Sequence, residues 1–520
     1  MLDRILYRLL TGSSGGFSFR PGPGSGWKVS NSDPVSESPR GLPLSSRSHD
    51  DSSVGLYVHI PFCRSLCAFC PYTKVLYSDG LAAAYLGALT AEAKAVAAKL
   101  GSRRVSSIYF GGGTPMTMPD AIRMVVDLFR ERLVPGAGIG VELHPQDVDP
   151  ASLGWLRDTL TGGGVATEAP ASVRSCTASG RPGALSKCSG EDAEGAPESD
   201  PGLSGNGAPT TMVSLGVESL NQRTLDYLGR GYGPDKAIQT VEMAMDAGFG
   251  TTNVDVMTCI PGQSADEAAA DMRRLLHMGV GQVSAYPLMD FSYTRYRTSH
   301  SLWSQRRTLA TLARVGAEEG YERSSVWTWT RQDTLKYSSI TRERYIGIGA
   351  GAATYLDGYF GVNTFDVRAY VDALSQGRSP VALHSVLTPQ ESALYWLFWR
   401  CYEGRIDLDA PEAGLVKGLR GWVNLARRLG LGTMSGSRAR GGGGGGAKLA
   451  GGDGRLAGSD TQPMSGTQSV SGDRGGKSFF TLNDKGLFLY HILERHYTRA
   501  YIGRLWAACR EAAFPQGITL

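Results

Sequence analysis

The sequence predicts an α/β fold built on an open partial barrel, a (β/α)6 arrangement of parallel strands with helices outside. Six short apolar runs alternate with helix-like stretches once three segments of biased composition are set aside. The runs are almost continuously apolar, which is typical of strands that helices cover. Consecutive β-then-α units form parallel sheets with right-handed crossovers, and six units are too few to close an eight-stranded barrel.

The predicted elements follow one another in strict order along the chain. The predicted strands are residues 55–60, 105–110, 139–144, 211–217, 251–257 and 281–288. The predicted helices are residues 80–100, 119–132, 150–160, 221–247 and 264–278. Because the carboxyl ends of parallel strands meet at one edge of such folds, functional side chains are expected there.

Three segments lack the bulky apolar side chains that a core requires. They are residues 1–50, about 166–209 and about 434–477, the last of which contains the glycine run 441–446. Such composition cannot offset the entropy lost on ordering, so we expect a disordered leader and two disordered surface inserts. Residues 1–50 hold only four acidic residues, so they fit either an ordinary disordered leader or an organellar transit peptide.

Composition excludes several classes of protein. A net charge of +4 on 520 residues is too balanced to indicate nucleic acid or an anionic membrane as partner. Gly, Arg or Asp interrupts every hydrophobic run, so no membrane span is expected. A signal-like apolar stretch is missing at the start, so we expect a cytoplasmic protein, or an organellar one if residues 1–50 are a transit peptide.

The cysteines indicate a reduced compartment with one metal site. Three of the eight fall within residues 63–70, as Cys63, Cys67 and Cys70. The others, Cys176, Cys188, Cys259, Cys401 and Cys509, are scattered along the chain.

The segment HIPFCRSLCAFC, directly after the first predicted strand, gives the spacing Cys-x3-Cys-x2-Cys. Three thiolates leave one iron of a [4Fe–4S] cluster open. That iron can take the amino and carboxylate groups of S-adenosylmethionine (SAM), and an electron from the cluster then releases a 5′-deoxyadenosyl radical. The alternatives are a zinc knuckle, which usually needs four ligands, and buried core cysteines, which need no fixed spacing. The pattern favours the cluster, with Cys63, Cys67 and Cys70 as ligands.

The longer segment LYVHIPFCRSLCAFC resembles the signature of the oxygen-independent coproporphyrinogen III oxidase-like radical SAM proteins. This family includes coproporphyrinogen dehydrogenases, heme chaperones and heme-modifying methyltransferases. The resemblance covers roughly residues 54–433 and 478–505. It implies a radical SAM partial barrel over residues 51–380 and a small C-terminal domain over 381–520 that caps the barrel mouth.

The C-terminal pattern agrees with that implication. From residue 388 it runs helix, helix, hairpin, helix, which is typical of a winged-helix-like α+β module. Neither helix carries a dense basic face, so no nucleic-acid partner is expected. Residues 321–375 hold aromatics and a GIGAG run, which either line a substrate opening or let elements pack closely.

The resemblance also implies, residue by residue, a set of SAM-binding positions. Gly112, Gly113 and Thr114 in FGGGTP match the methionine-binding turn of the family. The other matched positions are Tyr57, Phe69, Glu142, Glu218, Arg230 and Asp255. Glu218 stands where the family usually has Gln. An Asp inside an apolar strand is costly to bury unpaired, which favours a ligand role for Asp255, whereas His144 and Cys259 are interpreted as structural.

The leading interpretation is a radical SAM oxidoreductase acting on a tetrapyrrole. Coproporphyrinogen dehydrogenases remove a hydrogen from a propionate side chain, which then loses carbon dioxide and becomes vinyl. Tyr72 stands where those enzymes carry a further cysteine, and residues 1–50 do not look like their longer N-terminal arm.

Two alternatives therefore stay open: a methyltransferase or ring-modifying enzyme acting on heme, which in this family uses two SAM molecules, and a non-catalytic heme chaperone. Each implies a tetrapyrrole or heme partner. The enzymes also imply an electron donor such as flavodoxin or ferredoxin.

Overall fold

The computed structural model describes residues 18–21, 53–163, 169–170, 208–289, 291–296, 300–336, 344–435, 477–516 and 518–519. The predicted leader and both predicted inserts lie almost entirely outside these ranges. Within the leader, Ser18–Pro21 differs from the prediction because it forms a strand that pairs with Val381–Val386.

The elements are numbered in chain order. The strands are β1 Ser18–Pro21, β2 Ser53–Ile60, β3 Phe62–Cys63, β4 Val75–Leu76, β5 Arg104–Gly112, β6 Leu133–Leu143, β7 Thr210–Glu218, β8 Thr251–Thr258, β9 Gln282–Pro287, β10 Tyr321–Ser325, β11 Thr328–Arg331, β12 Tyr345–Ile348, β13 Ala353–Leu356, β14 Tyr359–Asn363, β15 Val381–Val386, β16 Arg405–Asp407, β17 Gly432–Ser435, β18 Phe479–Leu482 and β19 Ile518–Thr519. The helices are α1 Asp79–Lys99, α2 Pro119–Phe129, α3 Pro150–Thr161, α4 Gln222–Leu228, α5 Pro234–Asp246, α6 Ala265–His277, α7 Leu302–Glu318, α8 Val367–Ser375, α9 Pro389–Tyr402, α10 Pro411–Leu415, α11 Leu419–Arg428, α12 Asp484–Tyr497 and α13 Gly503–Glu511.

The predicted (β/α)6 unit is confirmed. Strands β2, β5, β6, β7, β8 and β9 lie side by side in chain order, and each neighbouring pair is parallel. Their apolar side chains pack against the surrounding helices in one core, in which Leu56, Ile108 and Val254 are fully buried. The carboxyl ends of the strands therefore meet at one edge, as expected.

The sheet extends beyond this unit on both sides. Antiparallel β11 and β10 follow β9, while β12 pairs in parallel with β2 and leads to β13, β14 and β15. The large sheet thus continues past residue 380, where the sequence places the domain boundary; that boundary stays a prediction.

The helical stretch predicted over 221–247 is two helices rather than one. Helix α4 ends at Gly229, whose φ of 71° is left-handed, and α5 begins with Pro234 at its first position. Glycine relieves the steric cost of that conformation, and proline fits a helix start because its missing N–H has no partner there. The break lets residues 229–233 turn back towards the strand ends.

Helix α1 meets the length and composition expected of a membrane span, the one such helix in the described ranges. It packs against α2, α8 and β12. Tyr85, Leu89 and Glu92 are buried on that side, so one face of α1 packs against the rest of the fold.

The GIGAG run at 347–351 serves close packing. A Cβ on Gly349, where φ is 107°, would lie 2.5 Å from the carbonyl oxygen of His59, and one on Gly347 would lie 2.3 Å from that of Ala353. Buried Glu92 accepts a 2.7 Å hydrogen bond from the Gly349 N–H. The sequence left open whether this run lines a substrate opening or lets elements pack closely. Close packing accounts for these contacts, although Gly351 also borders the cavity described below.

The C-terminal residues form the predicted helix, helix, hairpin and helix. Strands β17 and β18 pair antiparallel across the second insert, and β16 completes a small sheet. A separate core containing Ile406, Val423 and Phe480 holds this module together. Helix α12 continues through a π-helical turn at Thr498–Ile502 into α13, which the sequence pattern did not predict.

Candidate functional site

One large cavity lies at the carboxyl ends of the barrel strands and has a volume of about 1350 Å³. Every predicted site residue lines it: Tyr57, Cys63, Cys67, Phe69, Cys70, Gly112, Gly113, Thr114, Glu142, Glu218, Arg230 and Asp255. Residues from five of the six barrel strands, or from the loops after them, thus converge on one space. Their individual roles stay predictions.

The cysteine loop is fixed at its base and open at its tip. Strands β3 and β4 pair in parallel, and the Tyr77 N–H donates to the Cys63 carbonyl at 3.0 Å. Lys74 Nζ donates to the Cys70 carbonyl at 2.5 Å. Leu66, between the cysteines, is 46% exposed. The loop therefore presents its thiols to the cavity while its tip stays accessible.

The three thiols influence one another. Burial raises the pKa of Cys63 to about 12; the Cys70 and Cys67 thiols add to this rise, and a hydrogen bond with Thr114 opposes it. Burial likewise raises the pKa of Cys70, which Lys74 opposes. Holding these groups as thiolates therefore requires a cation at the same place, and metal binding would release their protons.

Within the described residues, no group of three His, Cys, Asp or Glu side chains is already arranged to hold a metal ion. The loop nevertheless fits a three-thiolate cluster in donor chemistry, sequence spacing and position on the cavity wall. Cysteine reaches a ligand by rotation about a single χ1 bond, among staggered rotamers.

The glycine turn after β5 docks directly beneath this loop. Gly113 and Thr114 donate their N–H groups to the carbonyls of Ile60 and Phe62, both at 2.7 Å. A Cβ on Gly113 would lie 2.6 Å from the Phe62 oxygen, and one on Gly112, where φ is 111°, would lie 2.6 Å from the His59 ring. The glycines thus let two backbones approach closely, beside the position that the resemblance gives to the methionine moiety.

Glu142 is held by two donors. The Tyr109 hydroxyl donates to Oε1 at 2.7 Å, and the Gly112 N–H donates to Oε2 at 3.1 Å. Burial nevertheless raises its pKa to about 7. The sequence analysis did not identify Tyr109, although a tyrosine within an apolar strand could have indicated it. In the structure its ring stacks on that of Tyr57, with the ring centroids 6.1 Å apart.

Asp255 is paired by protein groups. Ser214 Oγ donates to Oδ2 at 2.6 Å and Asn253 Nδ2 donates to Oδ1 at 2.9 Å. Because these protein groups pair the Asp255 carboxylate, its burial no longer indicates a ligand. Asp255 stays a candidate because it lies on the cavity wall. Burial raises its pKa to about 6.

Arg230 is the most heavily engaged side chain of the site. Its Nε donates to the Tyr232 hydroxyl at 3.0 Å, its Nη1 to Cys67 Sγ at 3.2 Å, and its Nη2 to Glu218 Oε1 at 3.2 Å. The Gly216 carbonyl also accepts from Nη2. Burial raises the pKa of Glu218 to about 7, and the nearby Arg230 opposes this rise.

His144 and Cys259 were interpreted as structural. Burial, with Arg230 and Arg64 nearby, lowers the pKa of His144 to about 3, and its Nδ1 accepts from the Gln146 N–H at 3.3 Å. Cys259 is buried. Both observations suit a structural role, although His144 also borders the cavity.

Residues 203–275 match the family described as the Radical SAM superfamily. Over this segment the chain is similar to that superfamily. A radical SAM domain implies a [4Fe–4S] cluster and SAM binding, in agreement with the sequence prediction at that level.

The relatives of this chain fall in the group that the cysteine signature suggested. The chain is 22% identical over 354 residues to the heme chaperone HemW of Bacillus subtilis, covering 64% of this chain and 80% of that protein. It is 27% identical over 241 residues to HemW of Mycobacterium tuberculosis, covering 45% of this chain and about half (49%) of that relative. It is 25% identical over 240 residues to the oxygen-independent coproporphyrinogen III oxidase of Paracoccus denitrificans, covering 45% and 42% respectively.

A solved structure shares the fold. The coproporphyrinogen III oxidase HemN from Escherichia coli superimposes with a TM-score of 0.58 at 18% identity, over 88% of this chain and 92% of that one. The predicted fold class is thereby confirmed.

The side of the cavity that faces the C-terminal helices is aromatic. Helices α9, α12 and α13 and the π-helical turn contribute Tyr395, Phe398, Trp399, Tyr402, Tyr490, Tyr497, Tyr501 and Trp506. Sequence reasoning did not assign these side chains to the site. The density of aromatic residues in ALYWLFWRCY, on a helix with little charge, could have indicated those of α9. These elements cap the strand ends, which is the position that the resemblance implied for the C-terminal domain.

Proposed function

We propose that this protein reductively cleaves SAM and uses the 5′-deoxyadenosyl radical on a tetrapyrrole, with Cys63, Cys67 and Cys70 holding the cluster. The observation that carries the proposal is the chemical contrast across one cavity. One side carries the three thiols and the polar residues of the strand ends, and the other is aromatic.

The size of the cavity supports two ligands. Its volume of about 1350 Å³ exceeds the roughly 300–1,000 Å³ of ordinary small-molecule sites. SAM beside the polar side leaves space for a larger molecule against the aromatic side, and a flat macrocycle can stack on such rings.

The polar side suits a cationic ligand. Glu142, Glu218 and Asp255 share the cavity, and the neighbouring carboxylates help to raise the pKa values of Glu142 and Glu218. The sulfonium and ammonium groups of SAM would relieve this repulsion. When bound, the cluster would supply the electron for cleavage, and in this proposal flavodoxin or ferredoxin would donate that electron to the cluster.

A heme chaperone is the second candidate. Relatives that align over 64% and 61% of this chain bear that name, and Tyr72 stands where the dehydrogenases carry a further cysteine. Tyr72 is 50% exposed at the cavity, with its ring centroid 5.9 Å from that of Trp506, so it faces the space proposed for the tetrapyrrole.

Anaerobic incubation distinguishes the candidates. Reconstituted protein is mixed with SAM, reductant and either coproporphyrinogen III or heme, and the products are identified by mass spectrometry. Vinyl formation supports the leading proposal. A methylated or otherwise modified heme indicates the ring-modifying alternative, and stoichiometric heme binding without turnover indicates the chaperone.

Two variants serve as controls in the same assay. Cys67→Ala should abolish 5′-deoxyadenosine release, while Cys509→Ala, which changes a buried cysteine in a separate core, should retain it. Equal release by both variants would contradict the proposal.

The predicted location is part of this proposal. We place the protein in the cytoplasm, or in an organelle if residues 1–50 are a transit peptide. Imaging of fusions with and without residues 1–50 tests this, since only a transit peptide makes the two distributions differ.

A further inference from the structure

Arg230 lies against the cysteine loop and is only 9% exposed. Its guanidinium carbon is 5.8 Å from the centre of the Phe69 ring and 5.4 Å from that of the Tyr232 ring. Between these rings the guanidinium directs Nη1 to Cys67 Sγ at 3.2 Å. A buried cation therefore donates a hydrogen bond to one of the three thiols.

The end of strand β7 is shaped around this arginine. The pairing of β7 with β8 shifts register between Gly216 and Glu218, which is a β-bulge. Glu218 adopts a φ of 69°, a conformation that side chains other than glycine rarely take. Bulges and strained residues often re-aim groups near functional sites. Here both the Gly216 carbonyl and the Glu218 carboxylate accept from Arg230 Nη2.

All three guanidinium nitrogens thus have protein acceptors. The planar fork of arginine can serve Tyr232, Cys67 and the β7 end at once, which a lysine ammonium cannot do with the same geometry. The resemblance gives Arg230 to SAM. That role stays a prediction, and the contacts described here add a cysteine sulfur, 163 positions away in the chain.

We propose that Arg230 tunes the iron–sulfur cluster by donating a hydrogen bond to the Cys67 thiolate and raising the cluster's reduction potential. The inference rests on the proposed function, because it takes Cys67 as a cluster ligand. Hydrogen bonds to cluster sulfurs and nearby positive charge stabilise the more negative, one-electron-reduced state. The Glu218 carboxylate at 3.2 Å offsets part of that charge, so its removal should act in the opposite direction.

The test is a redox titration of reconstituted protein without SAM, followed by electron paramagnetic resonance. Arg230→Gln should make the midpoint potential more negative, so that the ratio of reduced to oxidised cluster at a fixed applied potential falls by about threefold or more. Arg230→Lys should fall between Arg230→Gln and the parent. Glu218→Gln should shift the potential upwards.

Arg64→Gln is the matched control. Arg64 is also a cation next to a cluster cysteine, but its Nε pairs with Asp147 at 2.6 Å. The potential of Arg64→Gln should stay at the parent value. An equal shift in Arg64→Gln would show a general charge effect, and an unchanged potential in Arg230→Gln with full iron content would overturn the inference.

Iron content separates the possible failures. A parent protein that takes up no cluster overturns the proposed function itself. If only Arg230→Gln loses iron, the reduction potentials of Arg230→Lys and Glu218→Gln provide the test. A more negative potential in Arg230→Lys together with a higher one in Glu218→Gln supports tuning, and unchanged potentials in both variants refute it. Resonance Raman spectra give a second readout: loss of the hydrogen bond should shift the iron–thiolate stretching bands only in the Arg230 variants.

Discussion

The hydroxyl of Ser214 donates a 2.6 Å hydrogen bond to Oδ2 of Asp255, so this carboxylate is oriented by the protein itself. Asn253 contacts both residues and is in turn held by Gln282 Nε2 and Ser284 Oγ, each at 3.0 Å. A polar chain thus runs across the neighbouring strands β7, β8 and β9, whereas closed barrels usually pack apolar layers inside. Such support fixes a functional side chain in place before a ligand arrives.

Replacing Asp255 separates its structural role from its binding role. Its pKa in the folded protein is about 6, against an ordinary value of 3.8. Because the folded-state value is raised, the charged carboxylate lowers stability at pH values above about 6, and this cost disappears as the pH falls towards 4. Asp255→Asn should therefore raise the free energy of unfolding at pH 8 by about 1–3 kcal/mol without ligand, measured by denaturant titration at both pH values.

The same variants test ligand binding. Asp255→Ala leaves Ser214 and Asn253 without their acceptor and should be destabilised. If Asp255 also binds a ribose, both variants should weaken SAM binding and leave the cluster spectrum unchanged. Unchanged dependence on SAM concentration, together with a lowered melting temperature of Asp255→Ala, would remove Asp255 from the site.

Glu142 should make SAM binding depend on pH. With a pKa of about 7, its carboxyl is largely protonated at pH 6 and ionised at pH 8, and only the ionised form attracts a cation. The apparent Kd for SAM should fall by up to about tenfold over this interval, measured by calorimetry on anaerobic protein. Glu142→Gln should remove this part of the dependence. Tyr109→Phe, which deletes the 2.7 Å hydrogen bond, should move the midpoint to higher pH; a midpoint that stays in place contradicts the assignment.

Glu92 should be a major determinant of stability outside the site. It accepts hydrogen bonds from Gly349 N at 2.7 Å, Asn363 Nδ2 at 2.8 Å and the Tyr370 hydroxyl at 2.6 Å, all buried. Glu92→Ala leaves these donors unsatisfied and should cost about 3 kcal/mol or more, seen as a lower melting temperature. Lys94→Ala, on the exposed side of the same helix, is the control. Equal melting temperatures for the two variants would show that the buried network contributes little.

The cysteine series should separate ligands from bystanders. Anaerobically purified protein should hold about four irons and show a brown charge-transfer spectrum. Cys63→Ala, Cys67→Ala and Cys70→Ala should each abolish it, and Cys176→Ala should not. A spectrum that survives the loss of Cys67 is incompatible with the proposed ligand set.

Removal of the inserts should leave the fold intact. Strands β17 and β18 already pair from Ser435 to Phe479, so deleting residues 436–475 leaves a short hairpin loop, and deleting 170–207 shortens the connection into β7. Long surface loops contribute little to stability. Cluster content and melting temperature should match the parent, and proteases should cut the full-length chain first within these segments. Protease resistance there would show that one insert is a structured element.

The sequence by itself determined the cysteine loop and the positions of the six parallel strands. Both are local patterns: ligand spacing is read within residues 63–70, and each strand is an apolar run. The carboxyl-end rule then predicted that residues after different strands would meet, and all twelve predicted residues do line one cavity. The resemblance to the family indicated which residues after each strand belong to the predicted site.

Only the tertiary structure decided how these side chains are partnered. Asp255 is paired by a neighbouring strand, Arg230 reaches Cys67 across 163 positions, and distant C-terminal helices complete the cavity with aromatic rings. A side chain's partners depend on strand order, bulges and helix packing, which bring together residues that no local pattern connects. The break between α4 and α5 is the counterexample, because Gly229 and Pro234 were visible in the sequence, yet residues 221–247 were predicted as one helical stretch.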